Sequence, residues 1–452
     1  MPRVALCFVP AAVVALVTAS SGAAGAQGLL DQDTLTGDWG GWRARLEAEG
    51  LQLGGASIDE VLGNPLGGIR QGAIYEGRLE LFLNVDFERV LGWSGATFHA
   101  HAYQIHGRGL SGNDLDNLLL VSNIEAHRST RLFDLWIEQQ FIDRTVSVRI
   151  GQLAADDEFV VSQYAANFVN GTFGWPEILA ANLPSGGPTY PLATPGVRVR
   201  GAPTRELSLS AAVFDGNPAG TGPGDPQRRD GSGTNFRLSD DAFAIVEAAY
   251  ATDQDPDADG RPRTIKFGAW YHAGRFADQH FDASGRSLGD PASSGIPATH
   301  RGDYGFYLVV DQQFSRGAPG SGLGGFVRLA GNPSDRNLVS LYADTGATYR
   351  GLLPGRRDDV SGLAVGYARI GSAARARDRD TRSFTGRAVP VRDGELAIEA
   401  TYQWQMARWW AIQPDVQYIV HPGGHAADPR FPAGTRPIPD ALVLGLRSAM
   451  TF

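Results

Sequence analysis

Hydrophobic and polar side chains alternate along much of the chain, and the clearest run covers residues 73–87. Apolar side chains occupy every second position there, and most positions between them carry a charge or an amide. Because successive side chains of a strand point to opposite faces, this period of two predicts a β-strand with one oily and one polar face. The two sets are Leu79, Leu81, Leu83, Val85 and Phe87 against Arg78, Glu80, Phe82, Asn84 and Asp86.

The last stretch of the chain, residues 440–452, repeats this pattern and ends on the aromatic Phe452. Leu444 and Leu446 lie on its apolar face, whereas Arg447 lies on the face of small and charged residues. Such a strand is typical of the closing strand of a membrane barrel, with lipid outside and water inside. We therefore expect Arg447 to face the lumen.

Fifteen segments show this alternation. Since single-chain bacterial barrels have an even number of strands, we expect one more, at 117–124. Sixteen strands predict an all-β, transmembrane antiparallel barrel that encloses an aqueous channel. The fifteen are 51–61, 73–87, 96–106, 132–141, 146–152, 196–202, 206–214, 241–251, 263–273, 303–314, 323–331, 359–369, 393–405, 409–420 and 440–452.

The connections alternate between tight turns and long segments rich in Gly, Pro and Asp, which is the porin arrangement. Segment 153–195 differs from the others because it carries Phe159, Phe173 and Trp175, so we expect it to be ordered and folded into the channel mouth. The long segments are 107–130, 153–195, 215–240, 274–302, 332–358, 370–392 and 421–439.

Three parts of the chain are distinguished. Residues 1–26 have a positive start, a short apolar run and a small-residue cleavage site, which predict a secretory signal peptide cleaved before Gln27. Residues 27–50 predict a short periplasmic helical segment that Asp38 can cap. We expect residues 51–452 to form an outer-membrane barrel domain.

The net charge and the cysteine content exclude several kinds of partner and site. The 40 basic residues of the whole chain become 39 without Arg3, against 49 acidic residues, so the mature net charge is −10. This charge argues against a nucleic-acid partner. The only cysteine, Cys7, leaves with the signal peptide, so the mature chain has no disulfide and no Cys-ligated metal. No later apolar run is long enough for a transmembrane helix.

Several motifs, in order, resemble the carbohydrate-selective porin family of OprB type. They include GDWGG (37–41), LFDLWIE (132–138), GWP (174–176), QPDVQY (413–418) and LGLR (444–447). The resemblance covers almost all of residues 35–452. It implies a 16-stranded outer-membrane barrel for sugar uptake. The terminal Phe452 also resembles the C-terminal signal that the barrel-assembly machinery reads.

A diffusion pore needs a water-filled lumen whose side chains hydrogen-bond to the solute or stack on it. Charged groups can pair with sugar hydroxyls, and aromatic rings can lie against the apolar C–H face. Both signs of charge occur on the inward faces, which suits neutral polar solutes. The charged candidates are Arg78, Glu80, Glu138, Arg149, Arg198, Arg200, Glu247, Arg328, Glu399 and Arg447, and the stacking candidates are Trp136, Trp270 and Tyr307.

Each candidate also has a purely structural interpretation. A single charge can form an ion pair across neighbouring strands, and an aromatic ring can belong to the interfacial girdle, where we expect Trp409 and Trp410. We nevertheless expect the set to line a pore, because so many charges in a closed core would carry a heavy desolvation cost.

Two motifs suggest metal binding and both are incomplete. His99-x-His101 lacks a third ligand nearby, and the acidic stretch 253–260 lacks the bidentate Glu of a Ca²⁺ loop. We interpret them as lumen-facing histidines and an acidic surface loop, so no metal or cofactor is expected. No nucleophile elbow, zinc-protease motif or phosphate loop occurs, so an enzyme would lack a site.

The sequence therefore predicts an outer-membrane porin of a Gram-negative-type bacterium that gives facilitated diffusion to monosaccharides and similar small polar solutes. Its expected partners are small carbohydrates, outer-membrane lipid and the assembly machinery, and it works as a monomer or a homotrimer. Two alternatives stay open: an outer-membrane barrel enzyme such as a lipid hydrolase, and a secreted glycan-binding β-protein.

Overall fold

A computed structural model describes residues 28–254, 260–315, 321–431 and 434–452. These residues contain sixteen strands: β1 Leu51–Leu66, β2 Gly72–Asp86, β3 Ala96–Gly107, β4 Ser129–Phe141, β5 Val146–Leu153, β6 Thr194–Gly201, β7 Leu207–Asp215, β8 Ala242–Thr252, β9 Arg263–Asp282, β10 Pro297–Gln313, β11 Gly322–Gly331, β12 Val339–Arg350, β13 Val360–Ile370, β14 Gly394–Ala407, β15 Trp410–Val420 and β16 Ala441–Thr451.

The strands form one closed antiparallel barrel in which each strand pairs with its neighbours in sequence and β1 pairs with β16. This confirms the predicted fold and the number of strands. The expected signal peptide lies outside the described residues, and so does most of the acidic stretch 253–260.

Short helices lie in the connections and in the N-terminal segment. No helix among the described residues is both long enough and apolar enough to cross a membrane. The helices are α1 Trp42–Ala48, α2 Phe87–Leu91, α3 Glu177–Ala180, α4 Pro226–Arg229, α5 Ser372–Thr385 and α6 Pro422–His425. Single turns of 3-10 or π-helix occur at Leu29–Asp31, Trp39–Gly41, Ser111–Leu115, Ala165–Asn167, Gly171–Phe173 and Pro184–Gly186.

Strand β16 closes the barrel as its alternation predicts. Its register with β1 places Arg447 opposite Glu60, and both side chains are buried inside. Leu444 and Leu446 point outward and are 48% and 50% exposed. The oily face of the strand therefore lies on the outer surface of the barrel, where lipid covers it.

The N-terminal segment, residues 28–50, packs against the end of the barrel that carries the short turns. The amide of Leu35 donates to the carbonyl of Thr451 (2.9 Å), and Arg43 donates to the carbonyl of Phe452 (3.2 Å). The Asp38 carboxylate accepts from the Ala44 amide in α1 (3.0 Å), but the residue directly before α1 is Gly41, because Trp39–Gly41 form a separate 3-10 turn.

Trp409 does not lie in the interfacial aromatic girdle, where we expected it. Its indole donates to the carbonyl of Leu29 (2.9 Å), and only 6% of the residue is exposed, because the N-terminal segment covers it. The neighbouring Trp410 donates to the Ser448 hydroxyl (3.0 Å) on the outer face of the barrel.

The sixteenth strand is β12, and the expectation of a strand at 117–124 is wrong. Residues 117–124 pair with no strand of the barrel and lie inside the lumen, where Leu119 and Val121 are fully buried. Strand β12 falls in the segment 332–358, which we expected to be a loop. Its outward positions include Ala343, Thr345 and Ala347, whose small side chains hide the alternation from a search for oily residues.

Two further segments differ from expectation. Strands β9 and β10 run far beyond the predicted strand ends and shorten the expected loop 274–302 to residues 283–296. The expected loop 370–392 contains α5, whose Ala374 is buried. The long connections lie at one end of the barrel and the short turns at the other, so the first end is extracellular and the second periplasmic.

A charge on the outer face should destabilise the barrel. We expect Leu446→Arg to lower the free energy of unfolding by about 2–4 kcal/mol, because the guanidinium would lie in hydrocarbon near mid-strand. Urea unfolding of protein refolded into lipid vesicles measures this, with Leu446→Met as the matched apolar control. Equal stability of the two variants would show that this face does not meet lipid.

Candidate functional site in the barrel lumen

Two loops from the extracellular end fold into the lumen. We call residues 108–128 insertion 1 and residues 154–193 insertion 2. Their apolar side chains pack against the inner wall as a core, with Leu115 and Leu119 in insertion 1 and Phe159 in insertion 2 almost completely buried. The predicted order of segment 153–195 is confirmed, whereas the path of insertion 1 was not expected.

Two glutamates of β14 bind the backbone of the insertions. The Glu399 carboxylate accepts from the amides of Val169 (2.7 Å) and Asn170 (2.9 Å). The Glu395 carboxylate accepts from the amides of Leu118 (2.8 Å) and Leu119 (2.7 Å). Both glutamates have no exposed surface. Because buried backbone amides need acceptors, these contacts fix both insertions to the wall.

Glu247 plays the same part on β8. Its carboxylate accepts from the Val160 amide (3.1 Å) and from the Tyr307 hydroxyl (2.9 Å). Nearby, the ammonium group of Lys266 donates to the carbonyl of Val161 (2.8 Å). The start of insertion 2 is thus held through both its amide and its carbonyl groups.

Arg328 on β11 holds insertion 2 by its carbonyl groups. The guanidinium donates to the carbonyls of Val160 (3.2 Å), Thr172 (2.9 Å) and Gly174 (2.9 Å). It also pairs with Asp344 on the adjacent β12, and both side chains are almost completely buried. Here the structural interpretation, an ion pair across neighbouring strands, describes the residue.

Five of the predicted lining residues take part in these contacts or pack beside them. They lie under insertion 2 or in the core next to it, where their side chains are buried away from the open part of the lumen. Trp270, for example, is 5% exposed and packs 6.1 Å from the Phe243 ring. The five are Glu247, Trp270, Tyr307, Arg328 and Glu399.

The opposite side of the lumen is open. A cavity of about 710 Å³ lies between the insertions and the inner wall formed by β1–β4. The wall contributes Arg78, Tyr103 and Phe133 to its lining, and insertion 2 contributes Trp175 and Tyr190. The cavity is therefore bounded by a cation and by several aromatic rings.

Arg78 is held over two of these rings. Its guanidinium carbon lies 4.8 Å from the centre of the Tyr103 ring and 5.1 Å from that of Tyr190. It also pairs with the Glu80 carboxylate at 3.1 Å. Cation–π contacts and an ion pair together fix the planar guanidinium in one orientation, so its free N–H groups are directed rather than mobile.

A second charged group lies nearer the periplasmic end. Arg149 contacts Glu138 (3.0 Å) and Glu158 (2.8 Å), and its guanidinium carbon lies 3.7 Å from the centre of the Trp136 ring. Arg198 on the adjacent strand pairs with the same two glutamates. Arg198 is 4% exposed and serves the ion-pair network, whereas Arg149 and Trp136 are half-buried.

The last two predicted residues differ in exposure. Arg200 is exposed near the periplasmic end of β6. Arg447 borders the cavity but is 7% exposed, because it pairs with Glu60 and donates to the Asn123 side chain of insertion 1 (2.7 Å). It therefore joins the closing strand to insertion 1.

The insertions bring four acidic residues to the cavity that sequence reasoning missed: Glu125, Asp156, Asp157 and Glu177. Burial raises the pKa of each of these carboxyl groups. A neutral carboxyl group both donates and accepts a hydrogen bond, as a sugar hydroxyl does. Nothing in their local sequence distinguishes them from surface loop acids, because the strand period ends where the insertions begin.

Comparisons with known proteins agree with this geometry. The family model for the carbohydrate-selective porin, OprB family, matches residues 70–452. Porin B of Pseudomonas aeruginosa is 23% identical over 442 residues, which cover 92% of this chain and 91% of that protein. The putative porin QuiX of Acinetobacter baylyi is 25% identical over 453 residues, with 93% and 94% covered.

A solved structure shares the fold. The high-pH structure of Pseudomonas putida OprB superposes on this chain with a TM-score of 0.83 at 23% identity. The match covers 94% of this chain and 100% of that one.

Replacing a wall carboxyl group should loosen insertion 2. We expect Glu399→Gln to lower the free energy of unfolding by about 1–3 kcal/mol, because the amide nitrogen of Gln replaces one acceptor oxygen and leaves a backbone amide unpaired. Open-channel current noise should rise as the insertion moves. Thermal unfolding in detergent and single-channel recording measure the two effects, with the exposed Glu88→Gln as control. An unchanged melting temperature and quiet current would contradict the anchoring role.

Proposed function

Since the chain belongs to the carbohydrate-selective porin family of OprB type, we propose that monosaccharides and similar neutral polar solutes cross the outer membrane through the cavity beside Arg78. The orientation of Arg78 over Tyr103 and Tyr190 is the observation that carries this route. The family and the fold indicate a channel rather than an enzyme.

The chemistry of the cavity suits a sugar. Its volume of about 710 Å³ is within the range of small-molecule sites, about 300–1,000 Å³. Guanidinium N–H groups donate to sugar hydroxyls, and the edges and faces of Trp175 and Tyr190 offer apolar surface to C–H groups. Since the carboxyl groups of Asp156 and Asp157 have raised pKa values, fewer of them are charged at a given pH, which favours neutral solutes.

The route continues toward the periplasm along β5 and β6. Arg149 and Arg200 lie on these strands, and Arg200 is the nearer of the two to the periplasmic end. Trp136 beside Arg149 repeats the pairing of a cation with an aromatic ring. A solute that leaves the cavity therefore meets a second contact of the same chemistry, and release needs no large change in its interactions.

Removing the Arg78 cation should weaken sugar binding with little loss of stability. We expect Arg78→Gln to weaken glucose binding about five-fold, which corresponds to about 1 kcal/mol. Sugar-dependent reduction of ion current in planar bilayers measures this, and liposome swelling gives the transport rate. The control is Arg144→Gln, which alters an exposed arginine of the periplasmic turn.

Two outcomes would contradict the proposal. A wild-type barrel that conducts ions but shows neither swelling nor sugar-dependent current would remove the transport function. A large fall in thermal stability with unchanged sugar response in Arg78→Gln would assign Arg78 a structural role instead.

Polar groups on the outer wall support association of barrels, and of the two expected states they favour the homotrimer. Asp59 points outward and accepts from the Ser57 hydroxyl (2.7 Å) and the Tyr75 hydroxyl (2.6 Å). Tyr75 also bonds the imidazole of His106 (2.9 Å). A carboxylate on the lipid-facing side is costly, and the face of a second barrel would shield it.

Replacing this carboxylate should change the assembly. We expect the wild type to be a trimer in mild detergent and Asp59→Leu to be mainly a monomer, as measured by light scattering with detergent correction. Thr345→Leu alters an outward position on the far side of the barrel and should leave the mass unchanged. A monomeric wild type would contradict the proposal.

The contact of Phe452 with β1 concerns the order of steps in barrel assembly. The amide of Phe452 donates to the carbonyl of Gly55 on β1 (2.8 Å) in the closed barrel. If the assembly machinery reads this residue, it does so before β1 and β16 pair.

A further inference from the structure

Two histidines and an aspartate converge on the inner wall outside the cavity beside Arg78. His99 and His101 are two residues apart on β3 and both point inward, and Asp134 lies opposite His101 on β4. One ligand atom from each of the three lies within 4.8 Å of the other two. The ladder between the strands thus supplies the third ligand that the His-x-His motif lacks in sequence.

Each ring nitrogen of His99 has a polar neighbour. Nδ1 lies 2.5 Å from the side-chain oxygen of Asn84, whose side-chain nitrogen donates to Gln52 (2.9 Å). Nε2 lies 3.0 Å from Oδ1 of Asp134. Nε2 of His99 and Oδ1 of Asp134 are therefore close enough to bind one ion between them.

Asp134 also has an atom without a partner. Its Oδ1 is buried and makes no hydrogen bond within the described residues. Nδ1 of His101 lies 3.9 Å from Oδ2 of Asp134, and its Nε2 lies 3.7 Å from the Glu80 carboxylate. This carboxylate is placed to orient the imidazole as an outer partner of a metal ligand.

Aromatic packing holds both rings in place. The His99 ring stacks on Trp136 with centroids 4.8 Å apart and an angle of 20° between the planes. The His101 ring meets Tyr103 edge-on at 4.6 Å. The Asp134 side chain is 4% exposed, whereas the two histidines are 15% and 16% exposed. The group is therefore fixed on the wall side and open on the lumen side.

We propose that His99, His101 and Asp134 bind a divalent transition-metal ion in the lumen, with Zn²⁺ as the representative ion. Imidazole and carboxylate ligands suit Zn²⁺, and three protein ligands leave one coordination position for water or a solute hydroxyl. Zn–ligand bonds of about 2.0–2.2 Å place ligand atoms of a tetrahedral site about 3.3–3.6 Å apart. Nε2 of His99 lies 3.0 Å from Oδ1 of Asp134, and Nδ1 of His101 lies 3.9 Å from Oδ2 of the same carboxylate, so side-chain rotations bring one ligand atom of each residue into that range.

The bound ion would add positive charge to the passage next to Trp136 and Arg149. We expect ZnCl₂ at micromolar concentration to reduce the single-channel current of the full barrel, and a chelator to restore it. The affinity should fall as pH falls, because protons compete with the metal for the imidazole nitrogens.

A second group of metal-ligating side chains must be removed first. Asp393, His421 and His425 also gather in the extracellular loops. Every measurement therefore uses a His421→Ala background. Calorimetry in detergent should then show one Zn²⁺ per barrel, and Co²⁺ in its place should give the visible absorption of a tetrahedral site.

The variants distinguish a built site from general binding. His99→Ala and His101→Ala should weaken Zn²⁺ binding at least ten-fold, and Asp134→Asn should weaken it with little change in shape. His280→Ala is the control, because His280 has a single carboxylate partner, Asp380 at 2.7 Å. Heat-modifiable gel mobility confirms folding, and His99→Gln replaces His99→Ala if the latter does not fold. No stoichiometric Zn²⁺ binding, or equal binding in all variants, would overturn the proposal.

Discussion

The structure depends on carboxylates of the barrel wall that accept hydrogen bonds from the backbone of the two inserted loops. A sixteen-stranded barrel is wide enough to keep an aqueous channel, so its lumen is narrowed only where loops are held inside it. Backbone amides that leave the sheet need acceptors. Glu395 and Glu399 provide them with no exposed surface. A buried carboxyl group without those amides would lack its hydrogen-bond partners, so wall and insertion require one another.

This anchoring divides the lumen into two functional sides. The wall formed by β8–β15 binds the insertions, and its charged side chains hydrogen-bond to their backbone. On the wall formed by β1–β5, Arg78 and Arg149 stay half-buried beside the lumen, and Arg78 lies over two tyrosine rings. Hence two residues of the same type that both point inward from a strand can have different roles. Arg328 binds backbone carbonyls, whereas Arg78 borders a cavity.

The sequence predicted the barrel well because each strand repeats one local rule. The alternation around Leu81 and Arg78 gives both the strand and the direction of its side chains. The alternation did not predict β12, because Ala and Thr face lipid there and large apolar side chains do not recur at every second position. The alternation could not show that Glu399 is covered by a loop whereas Arg78 borders the cavity. That difference depends on the amides of Val169 and Asn170, which are far from Glu399 in sequence. The third ligand of the His99-x-His101 motif was not predicted for the same reason, since Asp134 reaches His101 only through the pairing of strands.

The central claim is that the insertions cover one side of the lumen and leave the passage at Arg78. Thiol accessibility tests it directly, because the single cysteine, Cys7, lies in the expected signal peptide. Arg78→Cys should react with a water-soluble thiol reagent in the folded barrel, change the current, and react more slowly when glucose is present. Ala364→Cys, at a position 1% exposed under insertion 2, should not react. Equal reactivity at the two positions would contradict the account.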